Sequence, residues 1–423
     1  MLRLFLLDSG ARFTMHTTQD APLVICGHGM VAQRLIEQLV ALGHPFSRIV
    51  VFNGEPYPAY NRIQLSSLLA NESTEADLEL KPRRWFSQHR VDVFNHEPVT
   101  HIDTEQNRVV TARGRVQPYS QLVLATGSRP TTLGIEGEQL SGVMNFRNLT
   151  DTRELIDRAS KHRRALVVGG GFLGLEAAEG LRARGMAVTV LHRSGHLLNR
   201  QLDETAGDLL KTLLQQRGLE ILTGCSPAAL LGREQVNAVQ LSDDTVLATD
   251  LVVIATGITP NTGLALSAGL ECDKGICVDG QMRTSNPAIY ALGECCQFGA
   301  HTFGLVEPGF AQAHVLAEHL CQLPEARAFT PGDVPTRLKI SGIPIFSCGR
   351  VQPGPETESI QWQDRPKHRY GRLLVEQGRL VGAMLLGDTS SGPWYAELIG
   401  GARDISDYRD AIAFGKPYCE AAA

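Results

Sequence analysis

Two glycine-rich runs in this chain have the residue types that seat a pyrophosphate. The first is Leu23-Val24-Ile25-Cys26-Gly27-His28-Gly29-Met30-Val31-Ala32. The second is Ala165-Leu166-Val167-Val168-Gly169-Gly170-Gly171-Phe172-Leu173-Gly174. In each, the first glycine (Gly27, Gly169) permits a tight turn, and the second (Gly29, Gly171) lets backbone approach phosphate oxygens. Ala32 and Gly174 allow a helix to pack closely on its strand. Met30 in one copy and Phe172 with Leu173 in the other open helices whose free N–H groups and positive dipole would face an anion. The copies keep one register: Gly27 to Gly169 is 142 positions (169 − 27), as is Gly29 to Gly171. Two such turns imply two dinucleotides, and two dinucleotides suggest electrons passing between them.

Each copy should then present a group that reads the adenosine ribose. In the first copy Glu55, just beyond Asn53-Gly54, can accept both ribose hydroxyls. In the second the same place holds His192-Arg193 and no acid. A carboxylate would repel a 2′-phosphate and an arginine would attract it, by about 4 kcal/mol gross per charge pair at ~4 Å and an effective dielectric of ~20. NADPH is therefore permitted and NADH is not excluded. Each block closes on an apolar strand ending in the same tripeptide, Ala125-Thr126-Gly127 and Ala255-Thr256-Gly257, where backbone can approach a ligand.

The elements that must position these groups are legible on both sides of each turn. Residues 23–26 and 165–168 read as buried parallel strands. Val31, Leu35, Leu39 and Leu42 recur at helical spacing, Gly43 ends that helix, and Ile49-Val50-Val51-Phe52 is the next strand. A helix from Leu173 to Arg184 and a strand Val188-Thr189-Val190-Leu191 repeat the order, giving a right-handed parallel unit in each copy. A looser stretch with Pro324, Pro331, Gly332 and Pro335 reads as a linker. Strand-like segments such as 338–340 and 373–375 follow it.

The chain has 423 residues, too many for one ordinary domain, with 43% hydrophobic and 20% charged residues and a formal net charge of −5. No basic run offers a nucleic-acid footprint. Met1–Leu7 is apolar but breaks at Asp8, too short for a signal peptide or a membrane span. Residues 1–21 are expected to be a flexible leader, with Met15 an alternative start, and the location to be cytoplasmic. Nine cysteines, an odd number without a CxxC pair, argue for reduced thiols. The 13 histidines include no HExxH, and no metal site is expected.

A third motif, Thr284-Ser285-Asn286-Pro287-Ala288-Ile289-Tyr290-Ala291-Leu292-Gly293-Glu294, joins the two turns and the two Ala-Thr-Gly strands. Together they resemble the FAD-dependent pyridine nucleotide reductase family over roughly residues 22–320. The resemblance implies an α/β fold with two Rossmann-like domains, an FAD domain at 22–148 and 274–328 and an inserted NAD(P)H domain at 149–273. A small α+β domain would follow at 329–423. It also implies that the first copy holds FAD, that Gly293 and Glu294 meet the ribityl chain, and that the helix opening at Glu307-Pro308 faces the flavin pyrimidine. Arg129 beside the first Ala-Thr-Gly joins the flavin set. Gly257 joins the NAD(P)H set, and Glu176 is the candidate for orienting the nicotinamide.

A narrower likeness lies in Glu55-Pro56-Tyr57-Pro58-Ala59-Tyr60-Asn61-Arg62, Leu65-Ser66-Ser67, Arg200-Gln201-Leu202-Asp203, Gly387-Asp388-Thr389 and Gly392-Pro393-Trp394-Tyr395. These resemble the flavin portion of assimilatory nitrite reductase large subunits and the electron-transfer subunit of assimilatory nitrate reductase. That likeness adds Arg62 to the flavin set. Two departures decide the expectation. Leu65-Ser66-Ser67-Leu68-Leu69 stands where the disulfide-reductase branch needs a cysteine pair, so no sulfur relay is available. The sequence also stops before any four-cysteine iron–sulfur module or sirohaem domain, so it is not expected to reduce nitrite alone. The redox-pair spacing of Cys272 and Cys277 is expected to be coincidence, and the vicinal Cys295 and Cys296 to be structural or accidental.

The reading is an NAD(P)H reductase that passes electrons through FAD to a redox partner protein, a nitrate or nitrite reductase. The alternatives are a reductase of rubredoxin or a small ferredoxin, and a flavoprotein that mainly binds a partner and turns over slowly. No oligomeric state follows from the sequence.

Overall fold

The computed structural model describes residues 21–332, 335–340 and 342–420. The expected leader and both candidate starts lie outside them, apart from residue 21. The elements that build the first glycine turn are β1 (Leu23–Cys26), α1 (Met30–Leu42) and β2 (Ile49–Phe52), followed by a short helix α2 (Leu65–Leu69) and β3 (Gln121–Leu124). Those of the second are β4 (Arg164–Val168), α3 (Phe172–Ala183), β5 (Ala187–His192), α4 (Glu204–Gln216) and β6 (Leu251–Ile254). The chain then returns through β7 (Ile289–Ala291) and α5 (Val306–Leu320).

Two compact units result. One comprises the described residues up to Ala59 with Lys81–Gly127 and Asn261–Phe329. The other comprises Tyr60–Leu80, Ser128–Pro260 and the described residues from Thr330 onward. In the first, five parallel strands lie in the order β7-β3-β1-β2-Val91–Phe94. Every residue of β1 and β2 is buried. Such unbroken apolar runs suit strands covered on both faces, not an alternating half-exposed sheet. Gly43, at φ +70°, ends α1 in the left-handed conformation.

In the second unit five parallel strands lie in the order Glu220–Thr223, β5, β4, β6, Val143–Asn145. Helix α2 packs on α3 in the same unit. A Cβ on Gly180 would stand 2.7 Å from Leu69 Cγ, so only glycine lets the helices meet this closely. Arg184 fastens the pair by donating to the carbonyls of Leu69 (2.5 Å) and Leu68 (3.1 Å), two acceptors at a helix C-terminus. Tyr60–Leu80 and Val143–Asn145 therefore go with the second sheet, although both fall inside the range 22–148.

This unit also carries the C-terminal α+β part. Five antiparallel strands run in the order Thr336–Ile340, Ile343–Gly349, Arg379–Leu386, Arg369–Glu376, Glu358–Asp364. The helix Gly392–Gly400 lies on them, with Gly392 against the Phe346 ring. Asp203 ties this part to the second sheet: its carboxylate accepts from Ala206 N–H at the start of α4, from the Tyr370 hydroxyl (2.5 Å) and from Arg372 (3.0 Å). The architecture is the expected α/β one, two Rossmann-like sheets and a small α+β domain. No helix of the described residues is long and apolar enough to cross a membrane.

Candidate functional site

The two glycine turns are built alike, and each is locked by its own Ala-Thr-Gly segment. Gly27 has φ +104° and Gly169 φ +129°, values that L side chains rarely adopt. A Cβ on Gly27 would lie 2.2 Å from the Ala125 carbonyl oxygen, and one on Gly169 would lie 2.3 Å from that of Ala255. The repeated tripeptide is thus the wall against which the first glycine rests. Gly174 is needed because a Cβ there would lie 1.9 Å from the Gly169 oxygen. Ala32, buried, fills the matching place in the first copy.

The middle glycines face open space. Gly29 and Gly171 are extended (φ −92° and −85°), and nothing lies within 4 Å of a Cβ built on either. The first intrahelical bonds are Gln33 N–H to Gly29 and Leu175 N–H to Gly171, both 3.0 Å. The N–H groups of Met30, Val31 and Ala32, and of Phe172, Leu173 and Gly174, therefore have no partner within their helices. Neither helix start has a side-chain cap or an acid in its first turn. An uncapped positive helix end beside an open glycine fits a pyrophosphate.

In the first unit a second helix start joins the first. Gly309 in the opening turn of α5 sits on Val31 of α1, where a Cβ would be 2.5 Å from Val31 Cγ2. Like α1, α5 has no side-chain cap; Glu307 in its first turn is exposed and Pro308 is half-buried. The buried amide of Gln312 on α5 accepts the Gly293 N–H at 2.8 Å and so fixes the turn bearing Glu294. Glu294 Oε2 lies 3.9 Å from a Cβ position on Gly127. Thr126 and Asn261 exchange two bonds, hydroxyl to carbonyl at 3.0 Å and amide to carbonyl at 2.9 Å. Glu55 is held at the end of β2, its N–H on Asn53 Oδ1 (3.3 Å) and its carbonyl accepting from His96.

His28, which sequence reasoning passed over, pins this turn. Its buried Nδ1 accepts the Ala59 N–H at 3.3 Å, which leaves Nε2 as the donor to Gln33 Oε1 at 3.1 Å. Burial pulls its pKa down to about 4, so the imidazole is neutral near pH 7. A polar residue between two glycines is the one signal that could have marked it.

Arg62 and Arg129 fall in the second unit. Arg62 stacks over the Tyr60 ring at 5.4 Å and donates to the Arg147 carbonyl, while Arg129 donates to that of Pro260. The same unit gathers Gly169, Gly171, Phe172, Leu173, Gly174, Glu176, His192, Arg193 and Gly257. The His192 Nδ1 accepts the Gly170 N–H at 3.1 Å. Glu176, on the second turn of α3, is hydrogen-bonded by Ser66 of α2, and burial raises its carboxyl to about pH 7.

Ser66 and Ser67 occupy α2 with no sulfur among them, and none of the nine cysteines is in a disulfide. Cys295 donates to the carbonyls of Leu124 and Leu292, Cys296 to that of Gly293. Burial pushes both thiols and that of Cys26 upward, which makes them poor nucleophiles. Among the described residues no group of His, Cys, Asp and Glu is placed to hold a metal ion.

Residues 21–318 match the family model described as pyridine nucleotide-disulphide oxidoreductase, and residues 335–402 that described as rubredoxin NAD+ reductase C-terminal domain. The chain is 38% identical over 385 residues to "Nitrite reductase (NAD(P)H)" of Bacillus subtilis (strain 168), covering 91% of this chain and 48% of that protein. It is 39% identical over 386 residues to "Assimilatory nitrate reductase electron transfer subunit" of the same organism, covering 91% of this chain and 50% of that protein. The chain thus spans about half the length of these curated relatives. In fold it is similar to a ferredoxin reductase for the CYP199A2 system from Rhodopseudomonas palustris. That likeness has a TM-score of 0.86 at 24% identity, over 96% of this chain and 100% of the other.

Proposed function

Because the chain belongs to the pyridine nucleotide-disulphide oxidoreductase family, as an FAD-dependent NAD(P)H oxidoreductase, we propose that it delivers electrons from NAD(P)H to a separate nitrate or nitrite reductase. One observation carries this reading. Each unit has an open, uncapped helix start locked by its own Ala-Thr-Gly wall, and Ser66-Ser67 stands where a sulfur relay would need cysteine.

When bound, FAD supplies the chemistry, accepting hydride from the nicotinamide and releasing electrons to the partner. The chain's own residues bind and orient. Gly27, Gly29, Met30 and Ala32 cradle the flavin pyrophosphate, Glu55 takes the ribose hydroxyls and Glu294 the ribityl chain. The start of α5, with Glu307 and Pro308, directs N–H groups toward the pyrimidine carbonyl, where positive polarity favours added charge. Gly169, Gly171 and Gly174 cradle the second pyrophosphate, and Glu176 orients the nicotinamide. The flavin belongs to 22–148 and 274–328, the nicotinamide nucleotide to 149–273, and the partner to 329–423. Tyr60–Leu80 and Val143–Asn145 belong to the unit of the second sheet, which supports reading them with the nicotinamide side. Nine cysteines with no disulfide among them support a reducing, cytoplasmic setting.

The test is anaerobic mixing of the flavin-loaded chain with NADH or NADPH, followed by a nitrate reductase, a nitrite reductase or rubredoxin. The expected result is bleaching of the flavin within seconds and its reoxidation by one of the first two. A flavin that stays oxidised for minutes with both nucleotides overturns the enzyme reading. Reoxidation by rubredoxin alone selects a second reading, rubredoxin reduction, which the match of residues 335–402 favours.

A further inference from the structure

The C-terminal edge of the second sheet is where an adenosine ribose would be read, and its strand ends are free of acids. After β4 come Gly169-Gly170-Gly171, and after β6 Ala255-Thr256-Gly257. After Glu220–Thr223 come Gly224-Cys225-Ser226, and from His192 to Leu202 there is no Asp or Glu. In the first unit the equivalent strand, β2, is followed by Glu55.

His192 accounts for how the second copy manages without a carboxylate. Its Nδ1 accepts the Gly170 N–H at 3.1 Å, and its ring packs so tightly that a Cβ on Gly170 would lie 2.7 Å from the His192 Cγ. An accepting Nδ1 is unprotonated, so the ring is neutral, and burial lowers its pKa further. The imidazole closes the strand end without bringing negative charge.

The segment after it is fixed, not loose. Leu198 N–H bonds to Gly170, Gly224 N–H to Ser194 and Cys225 N–H to His192. Its charged groups are cationic. Arg193 and Arg200 are exposed, and neither guanidinium has an ion pair or hydrogen bond among the described residues. Lys211 reaches the same edge from α4, bonding Thr223 at 3.0 Å. The nearest acid along the chain, Asp203, is buried and taken up by Arg372, Tyr370 and the α4 N-terminus. Asp243, whose charge is felt at Cys225, accepts from the Thr245 N–H of its own turn.

We infer that the nicotinamide site selects NADPH over NADH, with Arg193 reading the 2′-phosphate and His192 standing as the uncharged substitute for a ribose-binding acid. The inference rests on the assignment of the second glycine turn to NAD(P)H. Calorimetry on the flavin-loaded chain with 2′,5′-ADP and with 5′-ADP tests it without turnover. The expected result is binding of 2′,5′-ADP about tenfold tighter or more, weakening as salt rises. Arg193→Ala, at an exposed position, should remove most of that preference and lower the NADPH to NADH ratio of kcat/KM through KM. Arg193→Lys should restore part of it. Equal affinity for the two nucleotides, or an unchanged ratio in Arg193→Ala, overturns the inference. Preferential binding of 2′,5′-ADP by a protein whose flavin neither nucleotide reduces would sustain it while removing the electron-transfer reading. Equal reduction by NADH and NADPH would do the reverse.

Discussion

Glu176 is a carboxyl placed where charge is costly. Burial raises it from the ordinary 4.5 to about 7, and Ser66 only partly offsets this. A raised carboxyl favours the folded state in its protonated form. Its contribution is complete below about pH 4.5 and is lost as pH rises through 7. Glu176→Gln should remove that dependence. Urea denaturation of the apoprotein at pH 5 and pH 8 should show a difference smaller by about 1–2 kcal/mol than in the parent, discounted for partial exposure. An identical pH dependence in the variant would place the titration elsewhere. At this scale the sequence was legible where a residue type has one physical use. Gly27 and Gly169 need φ values that other residues resist, and their spacing exposed them. His28 and Gln312 were not legible, since a histidine between glycines or a glutamine in a helix looks the same whether it faces water or pins a turn. Arg62 enters the flavin set on resemblance alone; its guanidinium lies over the Tyr60 ring in the second unit.

Helix starts set the chemistry at the next scale, and their glycines separate folding from binding. Gly29 is extended with open space at its Cβ position, so Gly29→Val should fold, as far-ultraviolet circular dichroism would show. On the proposed assignment the new side chain would fill the phosphate approach and should weaken flavin binding by about 3 kcal/mol, two orders of magnitude. Stoichiometric flavin in that variant would remove FAD from the first turn. Gly171→Val should keep the flavin and lose its reduction by nicotinamide. Gly27→Ala should instead destabilise the fold by about 2–4 kcal/mol, because its Cβ meets the Ala125 oxygen at 2.2 Å and its φ is +104°. The strands and helices around both turns were readable because apolar runs and helical spacing are local signals. The placement of Tyr60–Leu80 was not. It depends on Gly180 admitting Leu69, a contact between residues more than a hundred positions apart that leaves no periodic trace.

At the scale of the whole molecule, a buried carboxylate helps tie the C-terminal domain to the second sheet. Arg372→Met leaves Asp203 with the Tyr370 hydroxyl and the α4 N-terminus but no cation. We expect a loss of about 2–4 kcal/mol in urea denaturation, since a buried charge without its partner is expensive. A change below the error of the measurement would show the pair to be dispensable. The sequence reads as a small third domain after a proline-bearing linker, but the tether to the second sheet leaves no trace in it, because nothing in Arg200-Gln201-Leu202-Asp203 says which distant arginine will meet it. The seat of Gly309 on Val31 has an electrochemical consequence. Two aligned dipoles converge in one lobe of a protein with a negative overall charge. Wedging those helices apart should lower the midpoint potential of the yellow cofactor before it releases it, so that the lobe fails first as an electron sink and only later as a receptacle.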